Sequence, residues 1–228
     1  MSSFHNIRAV TFDVGGTLLE PWPSVGVVYA EVAEECGWPG ISPEILDRQF
    51  AGAWRTRQTF DYSRAAWREI VGQSFSGLVP PSALAGLFPS IYERFAQRNA
   101  WRLFEDVRPT LAALRERGFK LAVISNWDER LDSLLRQFEL DSCFDVTLIS
   151  AYVGFHKPSP EIFLRAAAQL CLPPAALLHV GDGMAEDFEG ASRAGLRALH
   201  LERGSEARTD GRITTLMDLV SLLPARPD

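Results

Sequence analysis

Chemically active side chains follow four short apolar runs of this sequence. Asp13 comes after "AVTF", Ser125 closes "LAVIS" and precedes Asn126, Lys157 comes shortly after "TLIS", and Asp182 follows "LLHVG". Carboxylate oxygens are ligands that Mg²⁺ prefers, and a lysine ammonium neutralises phosphoryl oxygens. A carboxylate can also act as a nucleophile and form an acyl-phosphate or an acyl-ester intermediate. These residue types indicate a phosphate-handling site, provided that the fold brings the four points together.

The segments around these runs predict alternating strands and helices from about residue 104 onward. The predicted strands are "FKLAVISNW", "FDVTLIS", "ALLHVGD" and "LRALHLE". The predicted helices are "DVRPTLAALRERG", "DERLDSLLRQFEL", "SPEIFLRAAAQL", "AEDFEGASRAG" and "ITTLMDLVSLL". This alternation is typical of βαβ units, so we predict an α/β fold with a doubly wound, Rossmann-like parallel sheet, to which the early run "IRAVTFD" also belongs. Ligands bind beyond the carboxyl ends of such strands, so the four points are expected at one edge.

The region from Ser24 to about Asn99 carries only helical patterns. Ser24 and Ser42 are expected to cap the first two helices, and Pro43 suits a first helical position. Pro89 is expected to kink or divide the last helix of the block. The predicted helices are "SVGVVYAEVAEECGW", "SPEILDRQFAGAWRTRQ", "SRAAWREIVGQSF" and "SALAGLFPSIYERFAQR". An all-helical insertion therefore follows the first strand of the sheet.

The composition excludes several classes of protein. The 228 residues carry a net charge of −6 and are 46% hydrophobic, which is ordinary for a globular chain and argues against a nucleic-acid-binding surface. Cys36, Cys143 and Cys171 are far apart, so neither a zinc site nor a disulfide framework is expected, and all three are predicted to be buried. No signal-peptide pattern and no long apolar segment occur, so we expect a soluble, cytoplasmic protein without a membrane partner.

Four motifs, in this order, resemble those of the haloacid dehalogenase superfamily of hydrolases. They are "FDVGGTL", "VISN", "HKPSP" and "VGDGMAED". The resemblance implies that Asp13 is the nucleophile, which attacks phosphorus and forms an aspartyl-phosphate. It also implies Mg²⁺ as cofactor, with Asp13, the backbone carbonyl of Gly15, Asp182 and Asp187 as its ligands. The implied substrate is a small phosphorylated molecule.

The same resemblance assigns the phosphate contacts and the domains. Lys157 and Ser125 are expected to hold the phosphoryl oxygens, with Asn126 and Thr17 beside them in the phosphate-binding set. Residues 1–17 and 104–228 are expected to form the α/β hydrolase core, and residues 18–103 a helical cap domain that controls substrate choice.

Gly15 departs from the pattern of that superfamily, whose usual residue at this place is a second aspartate. That aspartate protonates the leaving group and activates water, while its backbone carbonyl binds the metal. Gly15 keeps the carbonyl but loses the acid, and general acid–base catalysis contributes roughly 10²–10⁴-fold. Hydrolysis of substrates with good leaving groups, such as acyl or aryl phosphates, is therefore expected to suffer least, and the enzyme is expected to be weak or selective for them. The candidates for a substitute acid are Glu20, Asp61, His156 and Glu186.

Two alternatives stay open at this stage. A metal-free 2-haloacid dehalogenase also lacks the second aspartate, since a halide needs no proton donor. Resemblance to those enzymes predicts loss of the acidic residue in the fourth motif, whereas Asp182 is present here. A weakly active or inactive protein that keeps the pocket as a ligand-binding site is the other alternative.

Overall fold

The computed structural model describes residues 4–57, 60–205 and 211–225. The strands in these ranges are β1 (Ala9–Phe12), β2 (Leu19–Pro21), β3 (Trp101–Leu103), β4 (Lys120–Ser125), β5 (Val146–Ile149), β6 (Leu177–Gly181), β7 (Arg197–Leu201) and β8 (Arg212–Ile213). Six of them form one sheet in the order β5-β4-β1-β6-β7-β8, while β2 and β3 form a separate pair.

All five pairs of neighbouring strands in the six-stranded sheet are parallel, which confirms the predicted α/β fold class. Phe12, near the end of β1, lies opposite Val123 of β4 and Val180 of β6. This register aligns the carboxyl ends of the central strands. All four residues of β1 are buried, as expected for a parallel strand that has neighbours on both sides and helices on both faces.

Ten α-helices occur in the described residues. They are α1 (Val25–Glu35), α2 (Pro43–Thr56), α3 (Arg64–Ser74), α4 (Leu84–Arg94), α5 (Val107–Glu116), α6 (Arg130–Gln137), α7 (Ser150–Val153), α8 (Pro160–Leu170), α9 (Gly190–Arg193) and α10 (Asp218–Leu222). A one-turn π-helix, Met184–Glu189, runs directly into α9, where the sequence predicts an ordinary helix. The chain forms two compact units, one of residues 1–20, 103–129 and 139–228, the other of residues 21–102 and 130–138.

Serine hydroxyls cap three helices of the second unit. Each hydroxyl accepts a hydrogen bond from the backbone N–H three residues later. Val27 N donates to Ser24 Oγ at 3.1 Å and Ile45 N donates to Ser42 Oγ at 3.3 Å, as the sequence predicts. Ser63 caps α3 in the same way. The core of this unit is aromatic, and the rings of Tyr29 and Phe75 stack with centroids 5.6 Å apart within it.

Pro89 does not divide its helix. Helix α4 is continuous through this proline, and a short 3₁₀ turn, Pro81–Ala83, precedes it. Proline removes one backbone hydrogen bond, but Leu87, Phe88 and Ile91 are all buried on the same helix. Tertiary burial of this apolar face stabilises the helix more than one lost hydrogen bond weakens it.

The last predicted helix begins later than the sequence indicates. Arg212–Ile213 is strand β8, paired with β7, and the helix is confined to α10. The β-branched residues Ile213, Thr214 and Thr215 favour extended backbone. The carboxylate of Asp218 then accepts hydrogen bonds from Thr214 N at 3.0 Å and Thr215 N at 3.3 Å, which fixes the turn before α10.

The burial predicted for the cysteines is wrong. Cys36 and Cys171 are exposed and Cys143 is half-buried, although all three are free thiols, as predicted. Cys36 and Cys171 lie at the C-caps of α1 and α8, where the chain leaves the helix at the surface. Within the described residues, no helix combines the length and the apolar character that crossing a membrane requires.

Candidate active site

The carboxyl edge of the sheet gathers the chemically active residues. Asp13 follows β1, and its backbone N–H donates to Val180 O at 2.9 Å, which extends the ladder by one bond. Ser125 is the last residue of β4, Asp182 follows β6, and Lys157 follows β5 and α7. Strand ends are therefore what hold these side chains, since neighbouring parallel strands stop at the same edge.

Asp13 and Lys157 form a buried ion pair. Lys157 Nζ lies 2.5 Å from Asp13 Oδ1, and the two residues are 3% and 8% exposed. Ser125 Oγ donates to the same carboxylate oxygen at 3.0 Å. A buried carboxylate is tolerated only when it is paired and hydrogen-bonded, and this one has both kinds of partner.

Asp187 accepts hydrogen bonds from three directions. Lys157 Nζ lies 2.6 Å from its Oδ1, and His179 Nε2 lies 3.0 Å from the same oxygen. Gly183 N donates to Oδ2 at 2.9 Å across the π-helical turn. Thr11 Oγ1 is 2.8 Å from the other ring nitrogen of His179. An ionised Asp187 can only accept, so the proton of a neutral His179 belongs on Nε2, and Nδ1 accepts from Thr11.

The charges of this cluster shift one another. Burial raises the pKa of Asp13 and lowers the pKa of His179, so the imidazole is neutral at pH 7. Burial alone acts to raise the pKa of Asp187 and to lower that of Lys157. The proximity of opposite charges outweighs burial at both groups: the pKa of Asp187 falls below its ordinary value, and the carboxylates of Asp13 and Asp187 raise the pKa of Lys157.

Asp182 completes an acidic cluster. The residue as a whole is exposed to solvent, and Thr17 Oγ1 donates to its Oδ1 at 3.3 Å. Desolvation, followed by the negative charges of Asp13 and Asp187, raises the pKa of Asp182 to about 7. One carboxylate oxygen from each of the three aspartates lies within 4.8 Å of the others. Three carboxylates in this space face a single ammonium, so the cluster carries excess negative charge.

Glycines make room for this cluster. A Cβ atom on Gly16 would lie 2.3 Å from Asp182 Oδ2, and the φ of +78° at Gly16 is a left-handed conformation that favours glycine. A Cβ on Gly181 would lie 2.2 Å from Asp187 Cγ. The close approach of both carboxylates thus depends on glycines of the first and fourth motifs.

Asn126 and Thr17 hold other site residues in place. Asn126 Nδ2 donates to Lys157 O at 2.8 Å, and Lys157 N donates to Asn126 Oδ1 at 2.6 Å, so the amide clamps the lysine backbone. Thr17 is fully buried and uses its hydroxyl on Asp182. The structure therefore brings all the predicted site residues to one edge, with these two side chains engaged by their neighbours.

Gly15 faces an aromatic ring. A Cβ atom on Gly15 would lie 3.3 Å from Cζ3 and 4.0 Å from Cη2 of Trp127. Trp127 is 8% exposed. Sequence reasoning missed both Trp127 and His179. The histidine was detectable as a polar residue inside the apolar run "LLHVGD", whereas nothing in the sequence pairs residue 127 with residue 15.

The fold and the site define a Rossmann-like α/β enzyme with an aspartate-centred, acidic site at the carboxyl edge of its sheet. The chain belongs to the haloacid dehalogenase-like hydrolases, whose family model matches residues 7–195. This match confirms the resemblance inferred from the four motifs.

Individual relatives agree with this family. The mouse (Mus musculus) haloacid dehalogenase-like hydrolase domain-containing protein 3 is 33% identical over 212 residues, which cover 88% of this chain and 83% of the mouse protein. The solved structure of a HAD phosphatase from Thermococcus onnurineus has a TM-score of 0.70 and 25% identity, covering 96% of this chain and 99% of that one. A 2-haloacid dehalogenase structure from Pseudomonas syringae pv. Tomato DC3000 has a TM-score of 0.62 and 26% identity, covering 95% and 97%.

Proposed function

We propose that this hydrolase is a Mg²⁺-dependent phosphatase that acts on a small phosphorylated metabolite through an aspartyl-phosphate at Asp13. The observation that carries the proposal is the buried Asp13–Lys157 pair beside two further carboxylates. A lysine at this place offsets the repulsion between an anionic nucleophile and an anionic substrate. The similarity to a HAD phosphatase structure supports the same reaction class.

The acidic cluster fits a divalent cation. Its side-chain donors are all carboxylate oxygens, the ligand type that Mg²⁺ prefers. Desolvation, followed by the negative charges of Asp13 and Asp187, raises the pKa of Asp182 to about 7, and a bound cation would offset this rise. Asp13, Asp182, Asp187 and the backbone carbonyl of Gly15 are the residues that would hold the ion. When bound, the ion supplies charge neutralisation for the phosphoryl group.

Each residue of the site has its own role in the proposed phosphoryl transfer. Asp13 attacks phosphorus, an O–P bond to its carboxylate forms, and the bond to the leaving oxygen breaks with its electron pair on that oxygen. Lys157 and Ser125, already directed at Asp13, hold phosphoryl oxygens during this transfer. Water then hydrolyses the aspartyl-phosphate and releases phosphate. Phosphoryl transfer requires mainly positioning and charge stabilisation, which these contacts supply.

Supporting residues keep this set in place. His179 orients Asp187 through its Nε2, and Asp187 in turn holds Lys157. Asn126 fixes the backbone of Lys157, and Thr17 fixes Asp182. We further propose that residues 1–17 and 104–228 act as the catalytic core and that the helical residues 18–103 act as a cap that selects the substrate.

Gly15 restricts the substrate to good leaving groups. Without a carboxylate at this position the departing oxygen receives no proton from residue 15, so substrates that leave as stable anions are favoured. Glu186 stands near the cluster, since its Oε2 would lie 3.2 Å from a Cβ on Gly183. This proximity supports Glu186 as one candidate for a substitute acid.

Dehalogenation of a 2-haloacid is the second candidate function. Two observations favour it: the missing carboxylate at Gly15 and the similarity to a solved 2-haloacid dehalogenase. The acidic cluster argues against it, because displacement of a halide by a carboxylate needs no cation, and an uncompensated Asp182 beside Asp13 has a cost.

A single panel of assays separates these functions. We expect the purified protein to hydrolyse acetyl phosphate and p-nitrophenyl phosphate with Mg²⁺ and to lose this activity in EDTA. Release of halide from 2-chloropropionate in EDTA, without phosphate release from either compound, would establish the dehalogenase instead. No turnover of any of the three compounds would show that the protein keeps the site only for binding.

A further inference from the structure

Trp127 stands where a side chain at position 15 would need to extend. The distance of 3.3 Å from its Cζ3 to a Cβ on Gly15 is shorter than ordinary van der Waals contact between carbons. A carboxylate carries three more heavy atoms than that Cβ, so an aspartate would have to displace the ring or turn away from it. The benzo edge of the indole and the bare backbone of Gly15 are therefore complementary in shape.

The backbone of Trp127 is held firmly. Its N–H donates to Ser150 Oγ at 3.0 Å, and the same hydroxyl is placed to donate back to Trp127 O, also at 3.0 Å. Ala151 N donates to Trp127 O at 3.2 Å. Ser150 directly follows β5 and is 6% exposed, so a buried polar contact between adjacent strand ends anchors the residue. Such an anchor limits how far the ring can retreat from Gly15.

The end of β4 and the loop that follows it thus carry two residues with different roles. Ser125 directs a hydroxyl at Asp13, and Trp127, two residues later, covers Gly15 with an apolar edge. Loss of the acid alone would leave a gap beside Gly15, large enough for a side chain and open to a water molecule able to donate a proton. A filled gap excludes both the side chain and such a water.

We propose that Trp127 is a specificity-determining residue, which keeps proton donors away from the leaving-group side of Asp13 by filling the space beside Gly15. The site then accepts phosphoryl donors whose leaving group departs unprotonated, such as carboxylate or phenolate, and rejects alkyl phosphates. This inference rests on the proposed phosphatase function and adds the residue that enforces its substrate class.

The pairing makes a prediction that differs from simple loss of an acid. If the acid were merely missing, Gly15→Asp alone would restore turnover of alkyl phosphates. With Trp127 in the way, Gly15→Asp is expected to lower turnover of every substrate at least about 10-fold, since a misplaced side chain disturbs the Asp13 loop. The double variant Gly15→Asp/Trp127→Ala removes the ring that a Cβ at position 15 would press against.

The test is a double-mutant cycle on three substrates with Mg²⁺: acetyl phosphate, p-nitrophenyl phosphate and propyl phosphate. The wild-type kcat/KM is expected to fall steeply from the first two to propyl phosphate. The double variant is expected to raise the ratio of propyl to p-nitrophenyl phosphate turnover at least about 10-fold over wild type, the lower range of general acid catalysis. Trp127→Phe, which keeps a ring but shortens it, replaces Trp127→Ala if that variant does not fold.

A stability cycle tests the contact without any assay of activity. Gly15→Ala is expected to lower the melting temperature of the wild type, and to lower it less in the Trp127→Phe background. Equal losses of melting temperature in the two backgrounds would overturn the Gly15–Trp127 contact. A Gly15→Asp variant that gains as much propyl phosphate turnover as the double variant would also overturn it. Wild-type protein that cleaves propyl phosphate as well as p-nitrophenyl phosphate would overturn this inference and the restriction to good leaving groups, but not the phosphatase reaction. Failure on acetyl phosphate would overturn the phosphatase and the substrate class together, while the melting cycle still decides the contact.

Discussion

The two sides of Asp13 are built on different principles. On one side Lys157, Asp187 and His179 form a continuous chain of charged and polar contacts between 2.5 and 3.0 Å. On the other side Gly15 meets the apolar edge of Trp127. The Lys157 side pairs opposite charges, whereas the Gly15 side carries no titratable group at position 15. In the proposed phosphatase, the site thus keeps the residues that bind and neutralise a phosphoryl group, while an aromatic ring occupies the place of the proton donor.

This contrast separates two contributions to catalysis that act together in most hydrolytic sites. Charge stabilisation depends on fixed partners, and these are buried and hydrogen-bonded here. Proton transfer depends on one titratable group at one place, so a single substitution removes it. Substitutions on each side of Asp13 separate these two contributions.

Asp13→Asn is expected to abolish phosphatase activity, with a loss of at least about 10⁴-fold, because an amide cannot form the phosphoryl bond. The amide oxygen still accepts from Lys157 and Ser125, so the fold should be retained. Steady-state hydrolysis of acetyl phosphate measures the loss. Asp141→Asn, at an exposed aspartate of the same unit, is the matched control and should keep wild-type rates. An Asp13→Asn variant with more than a hundredth of the activity would place the nucleophile elsewhere.

Lys157→Met is expected to affect both activity and stability. Loss of one donor to the phosphoryl oxygens lowers kcat by about 10²–10³-fold. Removing the cation also leaves Asp13 and Asp187 buried without their partner, which costs about 3 kcal/mol of unfolding free energy. Urea denaturation in EDTA measures this cost. Lys120→Met removes an exposed lysine that donates to Leu170 O, and it should leave kcat unchanged. Equal stability of the two variants would contradict the buried pair.

Ser125→Ala is expected to lower kcat/KM by about 10-fold, the effect of one lost hydrogen bond worth about 1.4 kcal/mol. The variant keeps Asp13 paired with Lys157, so its melting temperature should change little. Kinetics with p-nitrophenyl phosphate measure the loss, and Ser90→Ala, at an exposed serine of α4, is the control. A loss as large as that of Lys157→Met would show that the hydroxyl does more than hold an oxygen.

Asp182→Asn is expected to have a smaller effect on stability than Lys157→Met, and of opposite sign. The folded-state pKa of about 7 lies above the ordinary value of 3.8, so the stability that protonated Asp182 contributes is lost as the pH rises through 7. In EDTA above pH 7 the free energy of unfolding of the variant should therefore exceed that of the wild type by about 1 kcal/mol. The value is modest because solvent screens this exposed carboxylate. The advantage should shrink as the pH falls towards 4. Thermal unfolding across this range measures it.

Magnesium provides the complementary measurement on the same variant. Mg²⁺ should raise the melting temperature of the wild type, since an ion that binds only the folded state stabilises it. It should do so much less in Asp182→Asn, which loses one carboxylate of the cluster. A variant that responds to Mg²⁺ like the wild type would exclude Asp182 as a ligand.

Much of this arrangement was predictable because parallel strands end at a common edge. Apolar runs located β1, β4, β5 and β6, and the structure gathers the polar residues that follow them at one edge of the sheet. The serine caps of α1 and α2 were predictable for a similarly local reason, since a hydroxyl caps the helix that it precedes. Predictions failed where the tertiary environment overrides local preference, as at Pro89 inside α4 and at the extended residues before α10.

The sequence alone predicted the α/β alternation, the family and the position of Asp13, Ser125 and Asp182 at the carboxyl ends of strands. These features depend on residue type and on local apolar runs, which a single sequence contains; Lys157 and Asp187 were proposed with the help of the family resemblance. Only the tertiary structure decided that His179 supports Asp187, that Asn126 clamps Lys157 and that Trp127 fills the space beside Gly15. The Asn126–Lys157 and Gly15–Trp127 contacts join residues that are distant in sequence, and the His179–Asp187 contact depends on the π-helical turn after β6, so packing distances set all three.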